Sequence, residues 1–528
     1  MRKYRDIRGL HITTAIDLIK KQQSIGSGMH DMTNKRRVIH WIRHHIYFFV
    51  FGVLCIVWFL FRTGTKPSRI EYPCQQASVA GANLWLAMYL LPLVSIVNSS
   101  GNGRRQTARL FGIGVIIVTL IIGGLYLFGG LNSEQVTNGP SQPMAVSVTS
   151  EKINVTGITS DIFVVNGTSG NDGGVNQLLN LMERKGTPFY ATRNGTDKTG
   201  LISKDDVVII KVNGQWNERG GTNTDLVRSL IQAIVDHPDG FTGEIIVADN
   251  GQAQYGATGT GGNLNYTKNN AEDRSQSMNR VAGSFSGSNR VSTYLWDTIT
   301  TKRVNEYAED DMNEGYIINK TPNTRTGILV SYPKFKTQYG TYVSFKYGIW
   351  NNETRAYEED RLKIINVPVL KTHGTYGVTG AVKSYMGVPS DKLTAQMGSR
   401  AHSTIDKGGM GTEMAETRFP TITILDAIWI NAIPGKGPRT SYDIATRTNM
   451  IVASTDPVAL DFWAAQNILM PSAKSQGYSD LSSMDPENNS PRKFGNWLRL
   501  SMLELRRAGY GTTIDKNAMN VYFVQNPT

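Results

Sequence analysis

Apolar residues are spaced in two regimes along this chain. Up to residue 130 they form long blocks at 47–61, 77–97 and 110–130. A bilayer-spanning helix needs about 20 mostly apolar residues, so these blocks predict three transmembrane helices, the second kinked at Pro92. After residue 150 the apolar runs shorten and alternate between two periods, 2 and 3.6. The first marks strands and the second marks amphipathic helices.

Residues 161–165 (DIFVV) read as a strand and 175–184 (VNQLLNLMER) as a helix. The run DDVVIIKVN at 205–213 is continuously apolar at its centre, as strands buried on both faces of a parallel sheet are. A helix over 224–235 with Thr222 or Thr224 as its N-cap follows, then a strand over 244–248 ending at Asp249. Strand, helix and strand in that order imply a crossover onto a parallel sheet. Residues 251–290 are rich in Gly, Asn and Ser and contain GATGTGG, but no helix stands directly behind those glycines. The segment therefore reads as an inserted loop and not as a dinucleotide fingerprint. Residues 291–312 read as helix, 327–332 and 342–350 as an antiparallel hairpin, and 391–420 as loop. Strands at 419–433, 449–453 and 521–524 alternate with helices opening at Asp456-Pro457 and over 497–508. The expected fold is α/β: three N-terminal transmembrane helices, then a large external domain. That domain has a mostly parallel central sheet, flanking helices and a β-hairpin insertion. The expected divisions are a basic segment at 1–45, a membrane module at 46–130, a linker at 131–150 and the external domain at 151–528.

The net charge of +12 over 528 residues changes meaning once it is located. Residues 1–130 hold sixteen Lys/Arg and four Asp/Glu, which accounts for all of it; the remaining 39 Lys/Arg and 39 Asp/Glu cancel. The external part thus has no electrostatic case for nucleic acid. Ten of the basic residues precede residue 46, and Arg104, Arg105 and Arg109 follow the second block. By the positive-inside rule the N-terminus is cytoplasmic, and three spans place residues 131–528 outside a cell membrane. Asn-x-Ser/Thr acceptors at Asn154, Asn166, Asn194, Asn265, Asn319, Asn352 and Asn488 are compatible with that side and with a glycoprotein. The expected partners are the lipid bilayer and an anionic small molecule or surface polymer.

Candidate chemistry gathers at 361–390, RLKIINVPVLKTHGTYGVTGAVKSYMGVPS. An apolar run ends in Lys371 and His373, which share one face of a strand. Gly374, Gly377 and Gly380 space a turn, and Lys383 follows on a short helix-like segment. Lys211 and Asn213 end the earlier strand in the same way. The catalytic candidates are Lys371, His373, Lys383 and Lys211. Asn213, Gly374, Gly377, Gly380, Asp426 and Asp461 are the residues expected to line a ligand site. Converging cations at strand ends suit an anion. GVTGAVKS is not a phosphate-binding P-loop, because Val382 stands where that motif has Gly. His373 and His402 with a carboxylate, Asp426 or Asp461, form a candidate divalent-metal set. The only cysteines are Cys55 and Cys74, so the external part offers no thiolate for an iron–sulfur cluster, and none is expected.

The ordered motifs DDVVIIKVN, INVPVLKTH with GVTGAVKSYMG, TILDAI with GKGP, and ASTDPVALDFWAA resemble the family catalogued as domain of unknown function 362. The resemblance runs over roughly 160–470 and implies the same α/β fold and strand-end site. Some members of that family carry an attached ferredoxin-type cysteine cluster, from which this chain departs. Three function classes remain open on sequence grounds. The first is a membrane-anchored extracytoplasmic protein with Lys/His acid–base chemistry on an anion. The second is a non-catalytic surface module that binds a ligand or partner, and the third is a redox accessory.

Overall fold

The computed structural model describes residues 158–192, 200–252 and 261–526. The basic N-terminal segment, the three expected spans and the linker all lie outside those residues. Among the described residues no helix is long and apolar enough to cross a membrane. What is described belongs to one compact unit, which begins at Thr149.

Among the described residues fifteen strands form two sheets: β1 (Ser160–Asn166), β2 (Val207–Lys211), β3 (Glu244–Asp249), β4 (Val291–Leu295), β5 (Gly315–Ile318), β6 (Ser331–Lys336), β7 (Tyr342–Ser344), β8 (Gly348–Asn351), β9 (Ala356–Glu358), β10 (Leu362–Asn366), β11 (Val369–His373), β12 (Gly377–Thr379), β13 (Ile422–Asn431), β14 (Thr446–Ser454) and β15 (Met519–Gln525). The central sheet runs β15-β1-β14-β13-β10-β2-β3-β4, with β11 and β12 attached beside β13. Its pairings are parallel except for those of β14 with β1 and β13 and of β11 with β12. The mixed α/β reading with a mostly parallel central sheet is therefore what the chain adopts.

The helices are α1 (Gly174–Arg184), α2 (Thr224–Val235), α3 (Met278–Gly283), α4 (Ala381–Ser384), α5 (Asp391–Gln396), α6 (Gly409–Glu416), α7 (Pro457–Ala464), α8 (Met470–Ser475) and α9 (Phe494–Arg507). They cover both faces of the sheet. In β2, Val208 and Ile210 pack with α1, α2 and α3, while Val207 and Ile209 pack into the opposite core with α6, α7 and α9. Both faces of the strand are buried, which is why its sequence shows no polar alternation. Helix α2 sinks Leu226, Val227, Leu230, Ile231 and Ile234 completely. Each contributes about 1.5–3 kcal/mol of apolar burial.

Several local expectations are corrected. The run through 364–370 is two strands, not one, because Pro368 has no N–H for the ladder. β10 pairs with β2 and β13. After the proline, β11 slips to the later half of β13 and pairs with β12. The cap of α2 is Asn223, whose Oδ1 accepts from the amides of Asp225 and Leu226. Thr222 is occupied elsewhere: its hydroxyl donates to the Val367 carbonyl at 2.7 Å and accepts from the Asn213 amide at 2.8 Å. Residues 291–295 form the edge strand β4 and not a helix, consistent with the β-branched Val291 and Thr293. The expected hairpin is a five-stranded antiparallel sheet, β5-β6-β7-β8-β9. A turn over 345–347 divides the continuous run at 342–350 into β7 and β8, and β8 opens on Gly348 at a φ of +96°. Residues 391–420 hold α5, capped by the Ser390 hydroxyl, and α6, entered through Gly408 at a φ of +85°.

Candidate functional site

From β2 the chain moves outward through β3 to β4. It returns through the small sheet to β10 on the other side of β2, then moves outward again to β13. Strand order therefore reverses between β2 and β10, and neighbouring connections part there. In open α/β sheets ligands bind in the crevice beyond the carboxyl ends of the strands at such a reversal. Lys211 closes β2, Asp249 closes β3 and Asn366 closes β10, so three polar strand ends stand at the reversal; Lys211 and Asp249 were expected from sequence and Asn366 was not.

Lys211 is fully buried and pairs with Asp249 at 2.8 Å. Its ammonium also donates to the Val212 carbonyl at 2.9 Å and the Ser384 hydroxyl at 3.1 Å, which uses all three protons. Burial pushes its pKa down and Asp249 opposes that shift. Asp249 accepts from the Gly214 amide at 2.7 Å with its other oxygen. Asn213 donates to Ser384 at 3.1 Å and accepts from the Val369 amide at 2.8 Å, which ties the end of β2 to the start of β11. Gly387 lies against the pair: a Cβ there would come within 2.2 Å of Asp249 Oδ1. Lys211 and Asn213 are thus committed to this network.

Lys371 and His373, two apart on β11, lie with Lys383 and His402 in a second cluster around Tyr376. The Lys371 ammonium is 1 % exposed and donates to the Gly220 carbonyl. Lys383, on α4, is 7 % exposed, and its Nζ lies 5.5 Å from the centre of the Tyr376 ring. Among the described residues Lys383 Nζ has no hydrogen-bond acceptor and no ion-pair partner. Burial, with the charge of Lys383, lowers Lys371 to about 7. Burial, with the charge of Lys211, lowers Lys383 to about 7 against the pull of Asp391.

The two imidazoles flank the same tyrosine, with ring centres 5.1 Å and 6.2 Å from it for His373 and His402. His373 Nδ1 accepts from the amides of Thr375 and Tyr376 at 3.1 and 3.2 Å. That assigns the proton of the neutral ring to Nε2, which is left as a donor. Burial, then the charges of Lys383, His402 and Lys371, drive its pKa down to about 2. His402 falls to about 4, through burial and then Lys383, with Asp391 opposing. Its Nδ1 lies 3.7 Å from Asp391 Oδ2, an electrostatic contact too long for a hydrogen bond. Burial would raise Asp391, but the facing His402 and Arg400 groups hold it down at about 2. At neutral pH the cluster therefore presents two neutral imidazoles beside two lysines that each stand near half-protonation.

The other predicted residues serve the frame. Asp461 accepts from the Ala381 and Val382 amides at 2.5 and 2.9 Å, holding the first turn of α4, and burial raises it to about 7. Gly380 permits this approach, since a Cβ there would stand 2.1 Å from Asp461 Oδ1. Gly377, at a φ of +76°, faces the Ser483 carbonyl, where a Cβ would come within 1.9 Å. The Gly374 amide donates to the Gly437 carbonyl at 3.0 Å. Asp426 accepts from the Asn223 and Ile428 amides and from Asn270, and burial raises it to about 6. Neither carboxylate joins the histidines, and among the described residues no three His, Cys, Asp or Glu side chains converge to hold a metal ion. The acid beside His402 is Asp391, which sequence reasoning did not single out, nor did it single out Tyr376 or Ser384. Asp391 directly follows the cap Ser390, a local signal that marks a helix start without revealing what the carboxylate faces.

One comparison bears on this geometry. Residues 354–466 match the family model described as domain of unknown function DUF362. No curated protein and no solved structure matches the chain. The DUF362 match is narrower than the 160–470 stretch whose motifs resemble that family. It takes in Lys371, His373, Tyr376, Lys383, Asp391, His402, Asp426 and Asp461. Lys211, Asn213 and Asp249 lie upstream of it, so the committed ion pair comes from outside the DUF362 segment and the Tyr376 cluster from within it.

Proposed function

We propose that the chain is a membrane-anchored extracytoplasmic protein whose DUF362 segment binds an anionic small molecule, or an anionic group on a surface polymer, and performs Lys/His acid–base chemistry on it. The observation that carries this reading is Lys383. A lysine with 7 % exposure and no acceptor among the described residues is costly to keep unless something else completes it. An incoming carboxylate, phosphate or sulfate would supply the missing acceptor. His373 Nε2–H is a second donor to the same group. The neutral imidazole of His402 and the amine form of Lys383 supply bases, and the protonated lysines supply acids. The apolar blocks at 47–61, 77–97 and 110–130, with the basic residues around them, support the anchor and the outward orientation.

Thermal unfolding of the full chain in detergent tests this reading, with phosphate, sulfate, oxalate and chloride titrated separately. The expected result is a saturable rise in midpoint for at least one multivalent oxyanion over chloride at equal ionic strength, lost in Lys383→Met. Equal behaviour of wild type and Lys383→Met with every anion would remove the proposal.

A further inference from the structure

We propose that Lys383 is an amine nucleophile that condenses with the carbonyl carbon of a small aldehyde or ketone bearing an acid group, forming an imine. This rests on the anion-site reading and names its substrate class.

The argument starts from what each lysine at the strand ends is already doing. Lys211 spends its three protons on Asp249, Val212 and Ser384 and is fully buried. Lys371 points its ammonium at the Gly220 carbonyl and is 1 % exposed. Lys383 alone in this cluster is both reachable and without an acceptor among the described residues. Its Nζ rests over the Tyr376 ring, 5.5 Å from the ring centre. Desolvation beside other cations is the arrangement that makes a lysine amine nucleophilic at neutral pH. Here burial lowers Lys383 to about 7, with Lys211 adding to the shift and Asp391 opposing it.

The condensation balances without a further reactant. The Lys383 nitrogen lone pair forms the C–N bond as the carbonyl π pair moves to oxygen. A proton passes from nitrogen to that oxygen, which leaves as water after accepting a second proton from a neighbouring acid. The ammonium of Lys371 is that acid, and it regains the proton from the iminium N–H, which leaves the neutral imine. The amine and carbonyl thus yield one imine and one water, with no change in oxidation state. The requirement for an acid group on the substrate follows from the same neighbours. The Lys371 ammonium favours a negative charge, and His373 Nε2–H offers it a hydrogen bond. Asp391 opposes the lowering of Lys383 and is itself faced by Arg400 and His402.

The test traps the imine in the full chain in detergent at pH 7, with glyoxylate as the anionic carbonyl probe and acetaldehyde as its neutral counterpart. Cyanoborohydride reduces any imine to a stable secondary amine, and peptide mass spectrometry locates it. An amine with a pKa near 7 is about half unprotonated at pH 7, against roughly one part in three thousand at 10.5. Lys383 should therefore be labelled at least about tenfold faster than exposed lysines such as Lys392 and Lys474. It should prefer glyoxylate over acetaldehyde, and Lys383→Arg should lose that adduct while keeping its folded circular dichroism. Labelling of Lys383 no faster than the exposed lysines overturns the proposal. If that result comes with oxyanion-dependent stabilisation of the same preparation, the anion site stands without the imine. If the oxyanions also fail to stabilise the protein, both readings fall.

Discussion

Replacing Asp249 by Asn keeps the shape of the side chain, and its amide oxygen can still accept from the Gly214 amide. It removes the carboxylate paired with Lys211, which is fully buried. At 2.8 Å, with an effective dielectric constant of about 20, the pair attracts by about 6 kcal/mol. Most of that offsets the desolvation of two ions, and breaking a buried pair from one side costs about 3–5 kcal/mol. The stranded ammonium has one escape, the loss of its proton. From the ordinary lysine value of 10.5, deprotonation at pH 7 costs about 5 kcal/mol, and at pH 9 only about 2. Asp249→Asn should therefore destabilise by about 3–5 kcal/mol at pH 7 and by about 2 at pH 9. Urea unfolding of the full chain in detergent reads this through tryptophan fluorescence, since Trp296 and Trp497 are fully buried. The double variant Lys211→Met with Asp249→Asn removes the stranded charge and should be more stable than Asp249→Asn alone. A single-variant cost below about 1 kcal/mol at pH 7, or a double variant worse than the single, would refute the view that these strand ends hold a desolvated ion pair.

Three further outcomes follow from the same geometry. Gly380→Ala forces a methyl onto Asp461 and should cost about 1–3 kcal/mol in urea unfolding. Gly283→Ala, the same chemical change at the end of α3 with open space around it, should be neutral or stabilise by about 0.5–1 kcal/mol. Asp461, raised from 3.8 to about 7, holds a proton in the folded state that the unfolded chain has released. Its contribution is thus present below about pH 4 and is lost as pH rises to about 7, with a slope of at most about 1.4 kcal/mol per pH unit. Wild type should lose stability relative to Asp461→Asn across that window when midpoints are compared at pH 4.5 and pH 8, and parallel curves would contradict the assignment.

The parts of the fold that were legible in sequence are those whose cause is local. The strand VVIIK announces itself because both of its faces meet apolar cores. Lys211, Lys371, His373 and Lys383 stand out because a charge interrupts an apolar run. The glycines at 377 and 380 were visible as a pattern, but their reason was not. They answer to Ser483 and Asp461, residues far along the chain. Lys211 and Lys383 looked alike in sequence, and only packing separates the lysine with a full set of partners from the one without. Asp391 and Tyr376 were missed for the same reason, since their importance lies in what faces them. The strand break at Pro368 was missed, although proline's missing donor is a local signal for it. The five-stranded sheet was not legible, because its short strands gain their identity from one another.

The central claim is that Lys383 is completed by an anion. Its most direct measurement is anomalous diffraction from crystals of the full chain equilibrated with selenate, whose selenium locates itself. The account predicts an ordered selenate with an oxygen about 3 Å from Lys383 Nζ and within hydrogen-bond reach of His373 Nε2. It also predicts loss of that peak in Lys383→Met. A cluster left empty at saturating selenate, or a peak unchanged in Lys383→Met, would contradict it.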